Sequence, residues 1–382
     1  MAINKINSVD LFSGAGGMAE GFEKAGIQTL VANDVDQMAQ KTFCYNHPKV
    51  PFIVRDIANV TAKELLDAGG ISRGNVDVVA GGPPCQGFSI AGRRMENDPR
   101  NSLFLEFVRI VKELQPRIVL FENVRGLTSM QGGSVLDAIL EHFTELGYIC
   151  EWKILDASQY GVPQARPRFV LICAAPGTEF SFPEIEFGET SSQANLFAKQ
   201  LKPRISVWDA LSDLPYIEQG QGAEEMHHSG NHNNTYQLDR SGNRNPGIIY
   251  NHRATRHSEL IQERYRLIPE GKNNVSLPPH LRTKKTNVYK LDRARPARTV
   301  TCNHRTDLLH PTIPRGTTVR EAARLQSFDD DYRFFGNLTR KAAWVTQDDQ
   351  VGNAVPPLLA KALAKSIIAS LQKNSSSLRH AS

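Results

Sequence analysis

The sequence predicts an α/β fold in which a mostly parallel sheet carries helices on both faces and a smaller, irregular domain follows. Short β-branched runs alternate with amphipathic stretches through residues 8–175. Glycine-rich or acidic loops follow several of these runs, as expected where parallel strands end at a ligand site. After Pro176 the periodicity weakens, and the chain is rich in Asn, Arg, His, Pro and Gly as far as about residue 317.

Each predicted strand is a short, largely apolar run. The runs are SVDLF (8–12), TLVAND (29–34), FIVRDI (52–57), VDVVAGG (76–82), RIVLFENV (117–124) and RFVLICAA (168–175). Amphipathic periodicity predicts helices at 102–115 and 134–146. A regular pattern returns at 318–328, and a last helix is predicted from about Pro357 to Leu371.

The bulk composition is that of a folded protein with two domains, since the chain has 382 residues, 40% of them hydrophobic and 22% charged. No apolar run approaches the ~18 residues of a membrane span and no signal peptide is visible, so a cytoplasmic protein is expected. The five cysteines are scattered, without a CxxC pair or a Cys/His cluster. Neither disulfides nor a metal site is therefore expected, and Cys44, Cys150 and Cys173 are interpreted as small buried apolar residues.

One segment carries all the excess positive charge. Residues 240–320 contain 17 Lys and Arg against 5 Asp and Glu, whereas the whole chain has a net charge of only +5. Such a segment is typical of a surface that faces a polyanion such as nucleic acid. A basic but merely solvated surface is the alternative, and charge alone does not decide between them.

The loops after the first three strands have the residues of a nucleoside site. DLFSGAGG (10–17) ends the first strand with glycines that allow a tight turn and a close approach to a ligand. Asp34 ends the second strand at the spacing where a carboxylate reaches ribose hydroxyls, and Asp56 ends the third. Because the spacing is not GxGxxG, a cofactor without a pyrophosphate is preferred.

The fourth and fifth strands end in residues suited to covalent chemistry. GGPPCQGFS (81–89) places Cys85 after two prolines that stiffen the backbone and fix the direction of the thiol. Glu122 closes an apolar strand, where partial desolvation favours a carboxyl that donates a proton. QARPR (164–168) then adds two guanidinium groups before the next strand.

These blocks, in this order, resemble the motif set of the DNA cytosine-5 methyltransferases of the bacterial restriction–modification type. The matching blocks are DLFSGAGG (10–17), GGPPCQGFS (81–89), ENV (122–124), QARPR (164–168), TVREAARLQSF (318–328) and GNAVPP (352–357). The resemblance implies a Rossmann-like S-adenosylmethionine-dependent domain at 1–184, completed by 346–382. It implies a target-recognition domain and hinge at 185–345, where Arg320, Glu321 and Arg324 are interpreted as structural.

The resemblance also implies the roles of the catalytic residues. Cys85 is the nucleophile that adds to cytosine carbon 6, and Glu122 binds ring nitrogen 3 and the exocyclic amine. Arg166 holds the base carbonyl oxygen, and Arg168 supports the site. Gln86 is placed with the catalytic residues, at the start of a mobile loop that closes over a base flipped out of the duplex.

S-adenosylmethionine is the implied cofactor and S-adenosylhomocysteine the product. Val35 departs from several relatives, which carry an aromatic ring at this position. The implied cofactor contacts are Phe12, Ser13, Gly14, Gly16, Gly17, Asp34, Val35, Asp56, Ile57, Pro83, Leu103, Asn353 and Val355.

The implied partner is double-stranded DNA, with a cognate restriction endonuclease acting on the same site, and a monomer is expected. The DNA-binding residues are predicted to be Ser89, Arg100, Arg293, Arg295, Arg298, Thr299 and Val300. A tRNA cytosine-5 methyltransferase is the alternative enzyme, although its members carry PPCQPF and a short recognition domain. A catalytically silent DNA-binding protein of the same fold is the third hypothesis.

Overall fold

A seven-stranded sheet forms the centre of the first of two units, within a computed structural model that describes residues 5–84, 102–189, 200–228, 230–338 and 345–380. This unit comprises Met1–Asp156, Pro167–Glu184 and Leu359–Ser382. Its strands are β1 (Asn7–Leu11), β2 (Gln28–Asp34), β3 (Phe52–Val54), β4 (Val78–Gly81), β5 (Ile118–Val124), β6 (Ile149–Asp156) and β7 (Pro167–Ala174).

The strand order is β3-β2-β1-β4-β5-β7-β6. The first five strands pair in parallel, whereas β7 runs antiparallel to both β5 and β6. The predicted α/β class is confirmed, but β6 at the sheet edge was not predicted. Its sequence, ICEWKILD, alternates apolar with charged residues, and most of its side chains are exposed.

Five helices connect these strands: α1 (Gly17–Ala25), α2 (Gln37–Asn46), α3 (Ala62–Gly69), α4 (Ser102–Leu114) and α5 (Ser134–Glu145). The apolar stripe of α4 enters the core through Phe104 and Phe107, both at most 1% exposed. Phe104 contacts Phe121 of β5 edge-to-face at a centroid distance of 5.9 Å. Burying this stripe against the sheet supplies the main free energy that holds α4 in place.

The second unit comprises Ala157–Arg166 and Ile185–Leu358 and has short elements. Three two-stranded sheets pair β8 (Phe187–Gly188) with β9 (Lys202–Pro203), β10 (Gly222–His227) with β11 (Ile248–Arg253), and β12 (Tyr289–Lys290) with β13 (Leu308–Leu309). Its helices are α6 (Val207–Leu211), α7 (Thr235–Arg240), α8 (Glu259–Leu267), α9 (His304–Asp307), α10 (Val319–Leu325) and α11 (Gln347–Asn353). The chain then enters α12 (Pro357–His380), most of which belongs to the first unit.

Buried ion pairs hold the second unit together, as expected for a unit with few regular elements. Arg315 binds Glu321 through two hydrogen bonds of 2.8 and 2.7 Å, and both side chains are at most 2% exposed. Arg324 pairs with Asp330 at 2.6 Å. These partners agree with the structural interpretation of Glu321 and Arg324.

The boundaries of the units differ from the predicted domains in two places. Residues 157–166 belong to the second unit, although they were predicted in the catalytic domain, and so do 346–358. The sequence does not show this because 157–166 is a short stretch between two strands of the first unit.

One helical stretch, Gln347–Lys373, is long and apolar enough to cross a membrane by length and composition. However, 56% of its apolar window is buried inside the protein, and core helices of soluble proteins pass the same test. The stretch includes α11 and α12, so it is weak support for a membrane segment.

Candidate functional site

The turn after β1 has a backbone conformation that few residue types adopt. Phe12, Gly14 and Gly16 have φ angles of 54°, 51° and 91°, all in the left-handed region. A non-glycine residue such as Phe12 is strained there, and such strain is concentrated at functional sites. The backbone N–H and the hydroxyl of Ser13 both donate to the carbonyl oxygen of Asn33, at 3.1 and 3.2 Å. The turn is therefore fixed against β2.

Asp34 is held beside this turn by two backbone groups. The N–H of Gly14 donates to its Oδ2 at 2.9 Å, and the N–H of Asp36 donates to its Oδ1 at 3.0 Å. Burial raises the pKa of this carboxyl. Val35, the next residue, is 62% exposed and offers an apolar surface at the same strand end. A carboxylate and an apolar surface side by side suit a ribose and its base.

Other predicted cofactor residues of this unit lie after β3 and in the helices α1 and α4. Asp56 accepts the N–H of Ala58 at 3.0 Å, which begins a 3-10 turn, and Ile57 is 2% exposed. Gly17 is the first residue of α1. Leu103 is half-buried against the hydrophobic core.

Asp10 is a buried carboxyl at the end of β1, with 2% of its surface exposed. Burial, with a smaller contribution from the charge of Asp34, raises its pKa to about 8. Among the described residues its Oδ2 has no hydrogen-bond partner. A buried carboxyl that keeps its proton at neutral pH, with one oxygen lacking a partner, fits a ligand that brings a complementary hydrogen-bonding group.

Glu122 and Arg168 form an ion pair between β5 and β7. The Nε of Arg168 lies 3.0 Å from Oε1 of Glu122, and the two side chains are 12% and 11% exposed. Burial lowers the pKa of Arg168, and the charge of Glu122 opposes that shift. Gly82 packs against this carboxylate, because a Cβ there would lie 3.2 Å from Oε2 of Glu122. The pair is thus a preorganised carboxylate and guanidinium.

Asn123 is a functional candidate that the sequence reasoning missed. Its side-chain amide donates to the carbonyl oxygen of Pro83 at 2.9 Å, within the GGPP turn. Only its position in the ENV block pointed to it. Cys85, Gln86, Ser89 and Arg100 lie outside the described residues.

Arg166 does not have the surroundings that its predicted role requires. It is 1% exposed and belongs to the second unit. Its Nη1 donates to the carbonyl oxygen of Val300 at 2.7 Å, and its Nη2 donates to those of Gly352 and Ala354 at 2.7 and 3.1 Å. The terminal nitrogens therefore bind backbone, which leaves Arg168 as the better candidate for holding a base carbonyl.

Thr299 and Val300 are also bound within the second unit. The hydroxyl of Thr299 donates to the carbonyl oxygen of Ala165 at 2.8 Å, and this residue is half-buried. Val300 is 0% exposed, so its side chain is part of the core of this unit and does not present itself to DNA. The predicted DNA contact by Val300 is therefore corrected to a packing role.

Arg293, Arg295 and Arg298 are exposed, but each has a partner. Arg293 pairs with Glu270 at 3.1 Å, and Arg295 lies 3.6 Å from Asp292. The guanidinium of Arg298 lies 3.8 Å from the ring centroid of Tyr289. Their side chains are accessible to a phosphate, although two of the positive charges are partly neutralised.

In the GNAVPP block, which lies in the second unit, Asn353 is exposed and Val355 is half-buried. The Sγ of Cys302 lies 3.2 Å from Oδ1 of Asn353. Cys302 and Cys44 are free thiols among the described residues.

Cys150 and Cys173 form a disulfide between directly paired positions of β6 and β7. The expectation that no disulfide forms is wrong, whereas the interpretation as apolar residues agrees with their place in the hydrophobic core, to which Cys173 belongs and against which Cys150 packs. The sequence did not show the pair because the strand that contains Cys150 was not predicted.

The described part of the chain contains two clusters in which three potential metal-binding atoms lie within 4.8 Å of one another. The first cluster is Asp213, His228 and His232, and the second is Glu20, Glu23 and His47. In the first, Arg324 occupies both oxygens of Asp213, and the N–H of Gly230 donates to Nδ1 of His228 at 2.8 Å. A metal on Nε2 of this ring would place a proton on Nδ1 and break that bond. In the second, Lys24 pairs with Glu20 at 3.0 Å. The contacts in both clusters are therefore those of hydrogen-bonded ion-pair networks.

Comparison with known families gives a match over nearly the whole chain. A sequence model of the C-5 cytosine-specific DNA methylases matches residues 6–369. The type II methyltransferase M.DdeI of Desulfomicrobium norvegicum is 38% identical, over 95% of this chain and 88% of that protein. The type II methyltransferase M1.HphI of Haemophilus parahaemolyticus is 36% identical, over 95% and 87%.

Solved structures agree with these sequence matches. A structure described as a prophage-encoded DNA modification methyltransferase from E. coli has a TM-score of 0.76 at 28% identity, covering 96% of this chain and 99% of that one. A Spodoptera frugiperda DNMT2 mutant has a TM-score of 0.59 at 17% identity over 95% and 99%, a likeness that shows the fold alone.

Proposed function

Because the chain belongs to the C-5 cytosine-specific DNA methylase family, we propose that it transfers a methyl group from S-adenosylmethionine to carbon 5 of a cytosine flipped out of double-stranded DNA. Family membership confirms the predicted enzyme class, a DNA (cytosine-5) methyltransferase. The observation that carries the finer proposal is the buried Glu122–Arg168 pair, whose Nε–Oε1 distance is 3.0 Å, beside the GGPP turn that leads to Cys85.

The chemistry requires a nucleophile because carbon 5 of cytosine does not attack a methyl group readily. The thiolate of Cys85 forms a bond to carbon 6, which moves electron density to carbon 5. Asn123 fixes the carbonyl of Pro83 and so restrains the turn that precedes this cysteine. Gln86, Ser89 and Arg100 follow in the same segment and are proposed to contact the base and the DNA.

Glu122 and Arg168 stabilise the charge that develops on the base. The carboxyl of Glu122 is proposed to bind ring nitrogen 3 and the exocyclic amine, and Arg168 the carbonyl oxygen. This exchanges the roles predicted for the two arginines, since the terminal nitrogens of Arg166 bind three backbone carbonyls. Fixed partners in a buried site lower the reorganisation that charge development requires.

The strand ends of the first unit fit S-adenosylmethionine, which supplies an electrophilic methyl group when bound. Asp34, fixed by the N–H of Gly14, is proposed to accept ribose hydroxyls, and the exposed Val35 is proposed to contact the adenine ring. Asp56 and Ile57 are proposed to bind the edge of the adenine. The buried Oδ2 of Asp10 is proposed to bind a hydrogen-bonding group of the methionine part.

The reaction ends with the release of the enzyme. Once carbon 5 carries the methyl group, its proton is lost to solvent or a nearby base and the bond between carbon 6 and Cys85 breaks. The products are 5-methylcytosine in DNA, S-adenosylhomocysteine and a proton. The electron pair of the bond between carbon 6 and the sulfur returns to the sulfur, which regenerates the thiolate of Cys85.

Bisulfite sequencing of plasmid DNA from cells that express the protein tests the proposal, with Cys85→Ser as the control. Methylcytosine confined to one short sequence and absent from the control is the expected result. Unmethylated DNA from a folded, cofactor-binding protein would contradict it, and tRNA would become the next substrate to test. Covalent capture on DNA with 5-fluorocytosine separates the enzyme from a silent DNA-binding protein.

We further propose that the protein acts as a cytoplasmic monomer that protects a DNA site from a cognate restriction endonuclease. The support is the similarity to relatives named type II methyltransferases. Sedimentation of the purified protein tests the monomer, and protection of plasmid DNA against nucleases of the same site tests the partner.

A further inference from the structure

Arg166 is a buried cation that joins two segments of the second unit. Its side chain is bound by the carbonyl oxygen of Val300 at 2.7 Å and by those of Gly352 and Ala354 at 2.7 and 3.1 Å. A buried guanidinium without these acceptors would be strongly disfavoured. The two segments are therefore held in the one arrangement that presents their carbonyls to it.

The first of these segments is bound from both sides. The N–H of Val300 donates to Oε1 of Gln164 at 2.5 Å, and the hydroxyl of Thr299 donates to the carbonyl of Ala165 at 2.8 Å. Gln164 is 0% exposed and is itself fixed by Gln326, whose Oε1 accepts from its Nε2 at 2.8 Å. The position of Thr299 thus depends on residues 164–166.

The second segment is packed closely against the first. A Cβ on Gly352 would lie 2.4 Å from the backbone nitrogen of Cys302, so only glycine permits this approach. Burial, followed by the charge of Asp349, raises the pKa of Cys302, so the sulfur is a thiol at neutral pH. Its S–H therefore donates to Oδ1 of Asn353 at 3.2 Å and directs the amide nitrogen of Asn353 away from the sulfur.

We propose that Arg166 is a positioning residue for two ligands at once. It fixes Thr299, which the sequence predicts to contact DNA, relative to Asn353 and Val355, which the sequence predicts to contact the cofactor, and this inference rests on the proposed function. Gln164 binds Val300 directly and reaches the second segment only through Gln326, whose Nε2 donates to the carbonyl oxygen of Val351 at 2.7 Å. Cys302 binds Asn353 directly.

Arg166→Lys tests the proposal, with Arg320→Lys as a matched control. Arg320 is 0% exposed and, like Arg166, binds three backbone carbonyls in the second unit, those of Tyr250, Asp329 and Tyr332. None of these carries a proposed ligand contact. We expect Arg166→Lys to weaken binding of both S-adenosylhomocysteine and duplex DNA by about tenfold. Arg320→Lys should lower the melting temperature and leave both affinities within about twofold of wild type.

Two milder variants keep the test informative if Arg166→Lys does not fold. Gln164→Met should weaken DNA binding more than S-adenosylhomocysteine binding, and Cys302→Ala should do the reverse, with Cys302→Ser restoring most of the lost affinity. Equal losses of affinity in the Arg166 and Arg320 variants, or weaker binding of only one ligand by Arg166→Lys, would overturn the inference. A wild-type protein that binds neither ligand would instead contradict the proposed function.

Discussion

Buried arginine side chains in this protein differ in the groups that they bind. Arg168 faces the carboxylate of Glu122, whereas the terminal nitrogens of Arg166, two residues earlier, bind neutral carbonyls. In the motif QARPR the two arginines look equivalent, so the sequence does not distinguish the role proposed above for Arg168 from that of Arg166. The difference arises because β7 begins at Pro167 and pairs antiparallel with β5, which brings only Arg168 beside Glu122.

The pKa of Asp10 makes stability depend on pH in an unusual direction. In the folded protein burial raises this pKa to about 8, from an ordinary value of 3.8. The folded state therefore holds a proton that the unfolded chain releases, so stability falls as the pH rises between these values. The fall contributed by one group is about 1.4 kcal/mol per pH unit.

Asp10→Asn should remove this dependence, because an amide does not titrate. We expect the variant to gain stability relative to the wild type as the pH is raised from about 5.5 to about 8.5, measured by urea denaturation without cofactor. Asp137→Asn, at an exposed site in α5, is the control. A stability difference for Asp10→Asn that stays constant over this range would show that the carboxyl is already ionised.

The strands that consist of a short apolar run were predicted well from the sequence. The six predicted strands overlap β1, β2, β3, β4, β5 and β7, because each contains a short apolar run, although β3 is only half-buried. The strand β6 was missed because most of its side chains are exposed and its sequence alternates apolar with charged residues, so it contains no continuous apolar run. Its position also explains why the antiparallel direction of β7 and the pairing of Cys150 with Cys173 were missed.

The close packing of β4 against β1 and α4 depends on a glycine. A Cβ on Gly81 would lie 2.6 Å from the carbonyl oxygen of Leu11 and 2.9 Å from the ring of Phe107. Gly81→Ala should therefore destabilise the protein by about 1–3 kcal/mol in urea denaturation. Gly126→Ala, where a Cβ meets nothing within 4 Å, should change stability much less. Equal effects would mean that the sheet adjusts without cost.

Across the whole molecule, the basic segment contains both buried and exposed arginines and lysines, and a charge count does not separate the two. Of the 17 basic residues in 240–320, Arg240, Arg315 and Arg320 are at most 5% exposed and hold the second unit together. Others, including Arg295 with a side chain that is 80% exposed, remain available to a polyanion. The sequence correctly located the charged region, but burial decides which charges face outward.

Replacing Arg293, Arg295 and Arg298 by Ala should weaken DNA binding and flatten its salt dependence. The slope of log K against log salt concentration should fall by about 1 for each arginine that neutralises a phosphate in the wild-type complex, up to about 3 in total. Fluorescence anisotropy with duplex DNA, at salt concentrations from about 50 to about 300 mM, measures the slope. Arg73→Ala, outside the basic segment, is the control. A slope equal to that of wild type would place these arginines away from the bound DNA.

The order of the segments along the chain also has a consequence for synthesis. The first unit is completed by α12, whose Leu359, Leu363 and Ile367 are 0% exposed, yet 174 residues of the second unit, Ile185–Leu358, are translated before it. At about 5–20 residues per second, a nascent chain waits for roughly ten seconds or more with the apolar surface under α12 uncovered. During that interval the chain exposes apolar surface of the kind that chaperones bind, and any premature stop within the second unit leaves the first unit without its last helix.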